Sequence, residues 1–135
     1  MNLGSLIRVT SGFLLGSLFS WGAGQFMQDL LSPNCPRPAF NDPLLVAEFL
    51  HALPFAAHAG RLGMSGLGVV AGMVLGSRLP GGKRSDGLAI GGLFILGVLF
   101  DLARIRHGVV LSGMTLTLSL ASFGMGWRVI TRSKA

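Results

Sequence analysis

Four stretches of this chain carry no formal charge: residues 9–28, 62–77, 87–100 and, counting histidine as neutral, 107–127. A helix needs roughly 20 residues to cross about 30 Å of hydrocarbon. The first and last stretches reach that length outright. The two between them must borrow flanking residues, or the bilayer must thin around them. Only 12% of the chain is charged and the mean hydropathy is +0.65. These patterns predict an all-α, polytopic membrane protein in a single domain, with about four transmembrane helices.

The glycines fit that class. There are 21, most of them inside the apolar stretches rather than in loops. Gly12, Gly16 and Gly24 recur at multiples of four, with Ser20 filling the remaining place. Gly68, Gly72 and Gly76 form a second series. Residues four apart lie on one helical face, and small side chains there let two backbones approach closely. These six glycines are the expected helix-packing positions. The sequence leaves open whether the two stripes meet within this chain or meet another polypeptide.

The expected elements follow from the breakers. A first helix runs over residues 3–31. Its charged-then-apolar start looks like a signal peptide, but Trp21 falls where small residues would be needed for cleavage, so it reads as a retained helix. Residues 32–43 hold four of the six prolines and read as a loop. Asp42-Pro43 then marks a helix start, with Asp42 as cap and Pro43 at the first helical position. Residues 44–59 read as a short amphipathic helix on the interface, or a re-entrant one, breaking near Gly60 before the next span. The remaining spans are expected at 62–79, 87–103 and 109–129. Arg61 is expected to reach the interface, since a charge in hydrocarbon is costly.

The net charge is +6. The basic residues sit between the apolar stretches, where helix flanks belong, so lipid and topology explain them better than nucleic acid. Arg8, Arg78, Lys83, Arg84, Arg128, Arg132 and Lys134 fall on one side of a four-span layout, and Arg37, Arg61, Arg104 and Arg106 on the other. The bias places both termini in the cytoplasm, in what reads as a bacterial inner membrane.

Chemistry-bearing residues are few. Glu48, His51 and His58 are spaced three and seven apart, near one face of a single helix. Glu48 and His51 are candidate metal ligands. His51 and His58 are candidate ligands for a haem, chlorin or other cofactor whose identity the sequence does not give, with His107 as a distant second ligand. Facing water or headgroups is the plainer reading of all three. Asp101 and Arg104 read as an ion pair along one helix end. The hydroxyls of Thr115, Thr117, Ser119 and Ser122 are expected to bond their own backbone. Cys35 is the sole cysteine, so no intrachain disulfide forms. No nucleophile with a positioned base and no close carboxylate pair occurs, so no enzyme class is indicated. The leading expectation is a non-catalytic accessory subunit of a larger membrane complex, packing through its glycine faces against other subunits and lipid. A small homo-oligomeric channel or transporter is the alternative. A redox or pigment-associated subunit using His51 or His58 is the third.

Overall fold

The computed structural model describes residues 2–33, 42–105 and 108–132. Five helices follow one another: α1 (Leu3–Leu31), α2 (Pro43–Ala52), α3 (Phe55–Arg78), α4 (Arg84–Arg104) and α5 (Val109–Arg132). All but α2 are long and apolar enough to cross a membrane. The chain is an all-helical integral membrane protein. Cys35, Arg37, Arg106, His107 and Lys134 lie outside the described residues.

The helix ends obey local chemistry. The Asn2 side chain accepts from the Ser5 backbone N–H at 2.8 Å and opens α1. Asp42 accepts from the Leu44 N–H at 2.9 Å, with Pro43 in the first turn. The α3 helix stops before Pro80, and the chain turns at Gly81, whose φ of 73° is open only to glycine at little strain. Asp86 accepts from the Lys83 N–H at 3.1 Å at the start of α4.

Two boundaries correct the sequence reading. The expected break near Gly60 is absent, and α3 runs unbroken from Phe55 through Arg61 to Arg78. The break is at Leu53–Pro54, where proline pushes its predecessor to an extended conformation; Leu53 has ψ 139°. The two middle spans do borrow their flanks. The third helix starts at Phe55 rather than 62, and α4 covers Arg84–Arg104 rather than 87–103.

The α3 helix is the hub, packing against α1, α4 and α5. The two glycine stripes meet each other inside the chain. A Cβ added to Gly72 would lie 2.8 Å from the Gly12 carbonyl oxygen, and one at Gly16 would lie 2.7 Å from that of Gly68. Gly76 closes against Ile90 and the Arg8 backbone. Three further glycines complete the packing around Met73, which is fully buried. Gly87 faces the Met73 backbone, Gly91 faces Phe123 and the Met73 sulfur, and Gly126 faces that sulfur too. Val9, Val69, Ile90 and Ile130 close this core. A second, smaller core forms where Val46, Leu50 and Leu53 of the α2 region cover Ala57, Ile105 and Leu111. The outward surface is apolar, with Leu18, Trp21, Phe26 and Phe100 largely exposed, as lipid contact requires.

Candidate functional site: a polar cavity at one end of the bundle

Each end of the bundle carries a different polar arrangement. At the end holding the start of α1, Asp86 is buried and accepts from Arg8 Nε at 2.8 Å and from the Ser5 hydroxyl. This is the ion pair formed among the described residues. It ties α1 to α4. No Asp101–Arg104 ion pair, expected from the sequence, is formed among the described residues. Asp101 turns instead toward α1 and α3.

At that opposite end lies a cavity of about 320 Å³. It is lined by Ser17, Ser20, Trp21, Gly24 and Gln25 of α1, Arg61 and Ser65 of α3, Asp101 of α4 and Thr115 of α5, among others. Gly24 makes the room: a Cβ there would lie 3.3 Å from Arg61 Cγ, so the aliphatic stem of Arg61 lies against the α1 backbone. Arg61 lines this cavity and stays partly exposed, near the helix end where the sequence reading puts it at the interface. Its guanidinium forms no hydrogen bond or ion pair with any described residue. Gln25 Oε1 is buried and lacks a hydrogen-bond partner. Arg61 is about 9 Å along α3 from its first residue, so the cavity sits near one membrane boundary. Buried polar groups are ordinarily partnered, and ionised groups in spanning helices mark pathways or ligand sites.

Two of the hydroxyls around the cavity are spoken for as donors. Ser20 bonds Ser65 O at 3.0 Å, and Thr115 bonds Leu111 O at 2.8 Å. Ser119 and Ser122 bond the carbonyls four residues earlier, as expected. Their oxygens still accept.

The histidine constellation is split by Pro54. Glu48 and His51 are exposed on α2, whereas His58 is buried on α3. His58 Nε2 lies 2.6 Å from Leu50 O. A carbonyl only accepts, so Nε2 carries the proton, and the ring fastens α2 to α3 across the break. That bond withdraws Nε2 from ligation. Among the described residues no group of three or more His, Cys, Asp or Glu is placed to hold a metal.

No protein-family model, curated protein or solved structure matches this chain.

Proposed function

We propose that this chain binds a small charged ligand within the membrane, as a small channel or transporter. The observation that supports this reading is Arg61: a guanidinium in a spanning helix, in a cavity, without a bonding partner among the described residues. Arg61 is partly buried, and a carboxylate or phosphate that reaches its guanidinium forms charge-assisted hydrogen bonds. Cavities of about 300 Å³ and above suit small ligands. The lysine and arginine bias supports cytoplasmic termini, in what reads as a bacterial inner membrane, with the cavity then at the far boundary. The reading assigns no catalysis and no nucleic-acid partner.

The accessory-subunit reading comes second. The glycine stripes that motivated it are occupied by each other. One feature still favours it: Gly126 and Ile130 are the buried residues of α5, and Val109, Val110, Leu120 and Met125 are left to lipid, another subunit or a second copy. A redox or pigment role through Glu48, His51 or His58 has only the exposed His51 ring to start from. A visible spectrum unchanged by His51→Ala removes it.

The test is ligand retention. The chain purified in mild detergent is expected to carry a small molecule by native mass spectrometry, lost in Arg61→Gln. Reconstituted vesicles are expected to move that molecule. A wild-type chain that holds nothing, and behaves like Arg61→Gln toward every solute tried, refutes the reading.

A further inference from the structure

The Arg61 cavity does not end in protein. A second, more open recess of about 340 Å³ adjoins it between α1 and α4, lined by Phe13, Leu93, Phe94 and Gly97, with Ser17, Val98 and Asp101. Ser17, Phe94, Val98 and Asp101 line both spaces. Phe94 is seven residues before Asp101, or about 10 Å deeper along α4. It lies at the middle of that helix. The combined space is therefore polar at the membrane boundary and apolar toward the bilayer centre. A Cβ added to Gly97 would meet nothing within 4 Å, so the apolar part is open.

Charge narrows the occupant further. Arg61 and Asp101 face one cavity and do not pair. A purely anionic head would satisfy Arg61 and be repelled by Asp101. A head with both signs satisfies each. A primary ammonium can donate hydrogen bonds to the Asp101 carboxylate, and a quaternary ammonium cannot. A water-borne zwitterion would leave the apolar recess unfilled.

We propose that the occupant is a membrane lipid with a zwitterionic, primary-amine head of the phosphoethanolamine type. Its phosphate sits at Arg61, its ammonium at Asp101, and an acyl chain lies between α1 and α4. The assignment rests on the reading of the cavity as a ligand site. It enters from the bilayer, so no aqueous gate is required.

The experiment uses the full chain, delipidated in detergent. Phosphatidylethanolamine, phosphatidylcholine, phosphatidylglycerol and soluble glycerophosphoethanolamine are added in turn, with retention read by native mass spectrometry and melting temperature. Phosphatidylethanolamine is expected to be retained about tenfold better than the other two lipids. Arg61→Gln and Asp101→Asn each remove that advantage, Gly97→Leu weakens retention by obstructing the chain, and Arg128→Gln at the opposite boundary changes nothing. Equal retention of all three lipids overturns the lipid assignment. So does glycerophosphoethanolamine binding as well as the lipid, indifferent to Gly97→Leu; the cavity reading then stands, because Arg61→Gln still abolishes binding. If Arg61→Gln alters the binding of no probe, both fall.

Discussion

A single methyl group tests the α1–α3 seam. In Gly72→Ala the new carbon lies 2.8 Å from the Gly12 carbonyl oxygen, and in Gly16→Ala it lies 2.7 Å from Gly68 O and 3.0 Å from Gly72 Cα. The obstacles are backbone atoms, which cannot rotate away. The helices must part locally by roughly half an ångström, and overpacking of this kind costs about 1–3 kcal/mol. Alanine's better helix propensity returns at most about 1 kcal/mol. Each variant is therefore expected to lose about 1 kcal/mol, and the pair somewhat less than the sum, because the two sites share atoms. Gly22 and Gly92 provide the controls, with nothing within 4 Å of an added Cβ. Alanine there is expected to be neutral or slightly stabilising. The assay is reversible unfolding in mixed detergent micelles, followed by circular dichroism. If Gly16→Ala and Gly72→Ala are as stable as Gly22→Ala, the stripes do not face each other.

Three other outcomes are expected. Asp86→Ala leaves Arg8 without its carboxylate in a half-closed site and is expected to lower stability by about 3 kcal/mol, against about 1 for Ser5→Ala, by the same unfolding assay; equal small effects would mean that the network is solvated. His58→Leu removes the bond to Leu50 O and is expected to raise protease cleavage around Leu53–Pro54 while the four spans stay folded, as limited proteolysis will show; unchanged cleavage refutes the fastening role. Arg61→Leu is expected to raise the melting temperature of the ligand-free protein while abolishing binding, since it removes a charge that lacks a partner; a lower melting temperature would mean that Arg61 supports the fold.

The spans were legible because hydrophobic length and proline punctuation are local properties. The first helix and the Asp42-Pro43 start follow from them directly. The start of α3 was not, since His58 and Arg61 resemble interface residues and pull the apparent boundary toward Gly60. Only Pro54 carries the true signal. The cavity was hidden for another reason. Gln25, Arg61 and Asp101 lie on three helices, far apart in sequence, and Asp101 sits beside Arg104 along its own helix. Sequence proximity proposed that pair, and the described structure does not form it. A usable clue existed: Gln25 is an amide six residues before the end of α1, level with Arg61 six residues into α3. The stripes at 12–24 and 68–76 were visible as packing faces, but Gly87, Gly91 and Gly126 were not, because the pair at 87 and 91 is not extended, with Lys83 and Ile95 in the flanking places, and Gly126 belongs to another helix. They are set by where Met73 needs space.

The link between Asp86 and Arg8 also has a mechanical meaning. Near that end α1 and α4 touch through Ser5, Arg8, Gly12, Phe13 and Gly16, with the Phe13 and Phe94 rings 4.9 Å apart. Beyond Phe94 the same two helices face each other across open space. Between α1 and α4 the arrangement is that of a clothes-peg, clamped at one end and open at the other, with the far end of α4 held through Ile105 against the α2 core and through α3 and α5. Any swing of α4 away from α1 pivots on the clamp and is largest at Asp101. Loosening Ser5 or Arg8 would thus be felt as a change in jaw width at the far boundary, some 20 Å along α4 from the residue altered.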